Sequence, residues 1–443
     1  MFRLCNITII FLISTFFIAC SSENAINDGN NSIDDIYTKP TAPVPVSSSC
    51  ALIKQNASIT SSTSNPMLVI LINYANQQIS SSTDTWAKKI YSKTQGNLNN
   101  YYQEVSNSQF EFSEATECNG LASVTLGKNH PDTNINSFSF NTLVHPDLSL
   151  ALSALDEQIS FNAYDTNGDG HIQANELLIT FIIAGYEDAY EGSHVTNGIW
   201  AHQGCVKAQD TPTLDGVTLM GCANNGNYAL FGEQHNKSNP HDATIGIIAH
   251  ELGHSTFHLP DLYLGGGIGN FGLMGGGTWG YANAIEYAGQ TPVHMSAWSK
   301  YKNNWVTLDD TNGSKVMNAT SSNSYNVVKV QNGTKYYILE NRANSGYDRG
   351  LYMVGSSFDG GLAIWQIDES KTTQIHIDNN SVNSDKDNQG IYMQDAQGGF
   401  IRLNQGGSEK ALFYDGNVNS FLNGDANITN ISVRGSTMTL DVN

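Results

Sequence analysis

The sequence is short of charge. Only 14% of its 443 residues are Asp, Glu, Lys or Arg, against about a quarter in an average soluble domain, and Asn, Ser, Thr and Gly fill the gap. The deficit falls mainly on one sign, since 21 basic residues face 41 acidic ones for a net charge of −20. A surface this acidic repels phosphate backbones and argues against nucleic acid as a partner. It suits a protein that collects divalent cations. The apolar stretch Ile7 to Ala19 is too short to span a bilayer as a helix, and no internal repeat is present. What the chain does have is 40% apolar and 10% aromatic residues, which supports a buried core and excludes global disorder. Its length predicts two or three domains, and a monomer is expected.

Arg3 followed by Ile7–Ala19 has the form of a signal-peptide core. The segment ends in Phe17-Ile18-Ala19-Cys20, which resembles a bacterial lipoprotein box. That resemblance implies a signal peptide over 1–20 and a lipid on Cys20 anchoring the exported chain to a membrane. Ser21 after Cys20 then favours the outer membrane of a Gram-negative cell. Ordinary secretory cleavage near Ala19, with extracellular release, is the alternative. With Cys5 and Cys20 set aside, four cysteines are left. An even number in an exported chain reads as two disulfides, and proximity in sequence favours Cys50–Cys118 and Cys205–Cys222. A free Cys50 holding a metal site latent is the competing reading.

Residues 21–62 are rich in Ser, Asn, Thr and Pro without an apolar period, and are expected to form a flexible tether. Met67–Ile72 and Leu177–Ile183 are continuous apolar runs, as strands covered on both faces require. Trp86–Val105 has helical character, and Gln109–Ser113 alternates like a strand. Alternation of strands and helices to about residue 305 predicts an α/β domain over 63–309. Beyond it, short strands separated by Asn/Gly turns predict a β-rich, sandwich-like domain over 310–443. They include Tyr325–Val330, Lys335–Leu339, Gly361–Ile367 and Ser436–Val442.

His250-Glu251-Leu252-Gly253-His254 forms an HExxH pattern. Asp242 or Thr244 can cap a helix on which Ile245, Ile248, Ala249 and Leu252 share one stripe. His250 and His254 then point the same way, one turn apart. Two imidazoles so placed can share one zinc, with Glu251 beside it as general base for a water. A third ligand is needed. His258 continues the four-residue spacing, but on an unbroken helix it lies about 12 Å along the axis from His250. Leu259-Pro260 breaks the helix first, which brings Asp261 forward as the favoured third ligand, with Glu286 the alternative. A buried, unrelated histidine pair is the bland reading of the same residues.

HELGHSTFHLPDLY, together with GLMGGGTWG at 272–280, resembles the immune-inhibitor-A-like family of bacterial zinc metallopeptidases. The resemblance extends from NLNNYYQEVSNSQFEF at 97–112, through PVHMSAWSKYKNNWV at 292–306 and YYILENR at 336–342, to GLAIWQID at 361–368. It implies a metzincin-like catalytic domain, one catalytic zinc, Asp261 as third ligand, a methionine turn at Met274 and peptide-bond hydrolysis of protein substrates. His258 departs from the family, which carries a glycine there; a left-handed residue at that point is strained unless it is glycine.

Asp165-Thr-Asn-Gly-Asp-Gly-His-Ile-Gln-Ala-Asn-Glu176 matches the twelve-residue EF-hand loop. Asp165, Asn167, Asp169, the His171 carbonyl and Glu176 are the expected calcium ligands, with Gly170 at the turn and Ile172 packed inward. A structural calcium is the expectation; a solvated turn is its rival. Weaker candidates are His376–Asn388 as a second calcium loop or a plain polar one, and His202, Glu233 and His235 as cleft residues. Tyr281, Tyr287 and His294 are possible oxyanion donors. The function expected overall is an exported zinc endopeptidase. The alternative is an inactive calcium-binding surface or adhesion protein on a protease fold, and a zinc hydrolase of non-protein amides is a closer rival.

Overall fold

A computed structural model describes residues 46–55, 60–133, 143–401 and 406–443. The expected signal peptide, Cys20 and most of the expected tether lie outside these residues. The chain is a mixed α/β structure with several sheets. The largest has nine strands and is built on β1 (Val46–Cys50), β4 (Leu121–Leu126), β2 (Thr63–Tyr74), β5 (Leu178–Glu187), β6 (Tyr228–His235) and β7 (His241–Asp242), in that spatial order. The central pairs β4–β2, β2–β5 and β5–β6 are parallel, while β1 and β7 close the two edges antiparallel. A further strand, β3 (Phe110–Glu114), runs parallel to the first half of β2.

The unbroken apolar runs follow from burial on both faces. Met67, Val69 and Leu71 of β2 join one core with Trp86, Tyr101, Tyr102, Ile248 and Leu252. Leu68, Ile70, Ile72 and Tyr74 join the other, with Leu148 and Leu152 of the helix His145–Ser153. The helical stretch 86–105 divides into α1 (Thr83–Tyr91) and α2 (Leu98–Val105), separated by a turn in which Gly96 has φ +86°.

The expected tether differs from the structure at its end. Val46–Cys50 pairs in register with Leu126–Ala122 as an edge strand, so ordered structure begins before residue 63. The polar Ser47–Ser49 suits an edge, where one side of the strand faces water. Both expected disulfides are present. Cys50 is bonded to Cys118 and Cys205 to Cys222, so Cys50 is not a free thiol. Among the described residues no helix is long and apolar enough to cross a membrane.

The C-terminal part carries a five-stranded and a four-stranded sheet. Val328, Leu339 and Ile364 from the first face Met317, Ile428, Met438 and Leu440 from the second across one core. The opposite face of the five-stranded sheet packs on the α/β part, where Tyr336, Ile338 and Trp365 share a core with the helix Ile245–Phe257. Arg342 is fully buried at this junction. It donates to both Asp348 oxygens, to Glu340 Oε1 at 3.0 Å and to the carbonyl of Phe271 at 2.8 Å. Burial opposes the Asp348 charge, but Arg342 overcomes it and holds that carboxyl at about 2.

Candidate metal centre

The helix α3 spans Ile245–Phe257 and starts from Thr244, whose backbone is extended. Thr244 does not cap with its side chain; Oγ1 donates to Ala288 O at 2.8 Å, and the Gly246 amide is taken by Gly289 O at 2.9 Å. Asp242 is occupied elsewhere, accepting from Ser81 Oγ. The helix stops at His258, which is exposed and left-handed at φ +51°, ψ +36°. The His258 and Leu259 amides return to the carbonyls of His254 and Gly253. A non-glycine side chain is thus carried in a glycine conformation, as the sequence comparison anticipates for this position.

That reversal brings Asp261 back over the helix. Asp261 Oδ1 lies 3.1 Å from His250 Nε2 and 3.1 Å from His254 Nε2, and the two Nε2 atoms are 3.2 Å apart. Among the described residues this is the one group of three His, Cys, Asp or Glu side chains whose ligand atoms all lie within 4.8 Å of one another. Each imidazole is oriented from behind. His250 Nδ1 donates to Leu273 O at 3.0 Å and His254 Nδ1 to Leu259 O at 2.5 Å, which turns both Nε2 atoms toward the common point. Glu251 is fully buried next to them, and its charge acts on His254. Burial works against a protonated His254, yet the adjoining Asp261 carboxylate raises it to about 9. Asp261 is held well below the usual carboxylate range by His254 and His250 despite its own burial. Two nitrogens and one oxygen converging in a closed, charge-compensated site suit a tetrahedral, borderline-soft cation with one position open.

Met274 lies beneath the helix. A Cβ on Gly253 would stand 2.7 Å from its sulfur, so the motif glycine lets Met274 approach this closely, and Met274 O accepts the Leu262 amide at 2.7 Å. Leu273, one residue earlier, holds His250. The GLMGGG segment therefore fixes both the first ligand and the loop that carries Asp261. Glu286 does not join the group. Its Oε2 accepts from Ala282 N and Thr291 Oγ1, both at 2.7 Å, which ties it into its own loop.

The remaining candidates go to other tasks. His202 bonds Trp200 O and Tyr228 Oη, Glu233 accepts from Ser80, and His235 stacks on Tyr190. His294, one of the three oxyanion candidates, is paired through Nε2 with Glu104 at 2.8 Å. Tyr287 stacks on His241, and Tyr281 packs against Tyr352. The EF-hand-like loop turns at Gly170 (φ +80°) with Ile172 buried, as expected. Its acids, however, face the loop's own amides. Asp165 accepts from Gly168, Asp169 and Gly170, Asn167 and Asp169 accept from the amides of Asp169 and His171, and Glu176 accepts from Thr166, Asn167 and Gln173. Asp165, Asp169 and Glu176 do not converge as His250, His254 and Asp261 do.

Sequence reasoning missed one residue of the centre. Asn380, within the polar stretch read as a calcium or solvated loop, accepts the Asp261 amide at 2.6 Å and donates to Asp261 Oδ2 at 2.6 Å. Nothing local in HIDNNSVNSDKDN signals a partner 119 positions earlier.

The profile of the immune inhibitor A peptidase M6 catalytic domain matches residues 77–309, just over half of the chain and including the HExxH helix and Asp261. A comparison with curated proteins found no matching relative. The extent of the family match identifies the chain as a peptidase and a member of the immune inhibitor A, M6, family.

Proposed function

We propose that this peptidase is a zinc endopeptidase of protein substrates, with His250, His254 and Asp261 as the metal ligands and Glu251 as general base. The observation that carries the reading is the convergence of His250 Nε2, His254 Nε2 and Asp261 Oδ1, with both Nδ1 atoms secured on backbone carbonyls. A zinc ion held there supplies a Lewis acid and lowers the pKa of water to near neutrality. Glu251, one residue from His250 on the same helix, takes a proton from the attacking water and returns it to the leaving amine. Met274 supports the ligands from below in the manner of a metzincin methionine turn. The inactive-adhesion alternative draws no support, because the matched family is one of peptidases. Elemental analysis of purified protein is expected to find about one zinc per chain, and His254→Ala is expected to lose it. A folded wild type without zinc would sink this assignment.

Export with a lipid on Cys20, and action as a monomer at a bacterial outer membrane or cell surface, complete the reading; a cleaved, released form is compatible with it. We further assign calcium to the loop 165–176, supported by its residue pattern and by the fold of its turn. Millimolar calcium is expected to raise the melting temperature by several degrees, as a ligand that binds only the folded state must. Glu176→Ala should abolish that shift, and an equal response from the variant would remove calcium from the loop.

A further inference from the structure

Asp261 is presented by a segment that lies outside the matched catalytic domain. Three amide side chains between 380 and 389 grip the backbone of the loop that follows Pro260. Asn380 bonds Asp261 at both its amide and its Oδ2. Asn383 donates to Leu262 O at 3.1 Å and exchanges bonds with both backbone groups of Ile391. Gln389 donates to Leu264 O at 2.8 Å. The approach is close enough that a Cβ on Gly265 would stand 2.5 Å from Asn383 O. Asn380 itself has φ +47° at the end of the helix Gln374–Asp378, a conformation that asparagine tolerates better than most side chains.

Building on the zinc assignment above, we propose that Asn380 is a positioning residue of the metal centre. Its carboxamide occupies Asp261 Oδ2 and leaves Oδ1 as the single carboxylate oxygen facing His250 and His254. A carboxylate offers two oxygens, and one that is free to rotate can present either or both. The two bonds from Asn380 fix the side chain relative to its own backbone and cap one oxygen with an N–H donor. Outer partners of this kind orient ligands and strengthen metal sites by about 10–100-fold. The C-terminal part is on this account a component of the active centre, and the matched domain alone lacks a piece of it.

The test is Asn380→Gly in the full chain, because glycine keeps the left-handed turn without cost and removes only the carboxamide. Zinc affinity is measured by competition with a chromophoric chelator, and the cobalt-substituted protein supplies a visible spectrum that reports coordination number. The expected result is zinc binding weakened by about 10–100-fold and a changed cobalt spectrum, with the melting temperature of the zinc-free protein unchanged. Wild-type zinc affinity and an unaltered spectrum in the variant would overturn the proposal. Should the zinc-free glycine variant melt well below wild type, Asn380→Asp is read in its place. It keeps the acceptor for the Asp261 amide and sets a second carboxylate against Oδ2 in place of the Nδ2 donor; read at about pH 9, where a shared proton is lost, an unaltered cobalt spectrum overturns the proposal there too. A wild type that binds no zinc at all refutes the zinc assignment itself, an outcome distinct from an indifferent Asn380.

Discussion

Glu251→Gln is expected to lower kcat for peptide cleavage by about 10²–10⁴-fold, the range that a positioned general base contributes. Zinc content and fold are expected to stay at wild-type values. The size of the loss follows from the location of the residue. Glu251 is fully buried on the ligand helix, between His250 and His254 in sequence, where glutamine fills the same volume without proton affinity. The orientation of the ligands comes from Leu273 O, Leu259 O and Asn380. Loss of activity with zinc retained thus separates proton transfer from metal binding. A variant that cleaves at near wild-type rate would assign the base to another residue.

Arg342→Leu is expected to destabilise the protein by about 3–5 kcal/mol, as removal of one partner from a buried ion network does. Arg342 is held by Asp348 and Glu340 with all three side chains sealed from water. Leucine would leave the buried Asp348 carboxylate without its guanidinium and Glu340 with Lys300 as its one remaining cation among the described ion pairs. Lys300, 3.7 Å from Glu340, would remain beside that carboxylate alone, and burial lowers that lysine to about 8. The consequence extends to the metal centre, since Arg342 also donates to Phe271 O, two residues before the carbonyl that orients His250. Denaturant unfolding of the zinc-free variant measures the loss. A midpoint shift worth under 1 kcal/mol would show that the network is not needed to join the two parts of the chain.

How legible the centre is in the sequence depends on how local each contact is. His250, Glu251 and His254 are fixed by the period of a single helix, so their spacing alone reveals the arrangement. Asp261 is one step removed; it becomes readable because Leu259-Pro260 ends the helix and forces a return. Asn380 and Arg342 act across 119 and 71 positions, and no local pattern encodes what an amide or guanidinium will meet at that separation. The same distinction governs the fold. Met67–Ile72 and Leu177–Ile183 announce buried strands by unbroken apolar runs, whereas Val46–Cys50 is polar and becomes a strand only because β4 offers an edge. Thr244 shows a local rule overridden, since its hydroxyl is turned to Ala288 O and the Gly246 amide at the helix start is taken by Gly289 O. The EF-hand-like loop is a pattern whose turn is legible, while the direction of its carboxylates is not.

The most direct test of the account is chelation and reconstitution of casein cleavage. Purified wild type is stripped of metal, assayed, and then titrated with zinc while cleavage is followed. Cleavage is predicted to vanish on stripping and to return in proportion to zinc, reaching its plateau at about one equivalent per chain. Cleavage that survives complete removal of zinc, or a folded and fully zinc-loaded protein that cleaves no peptide bond, would contradict it.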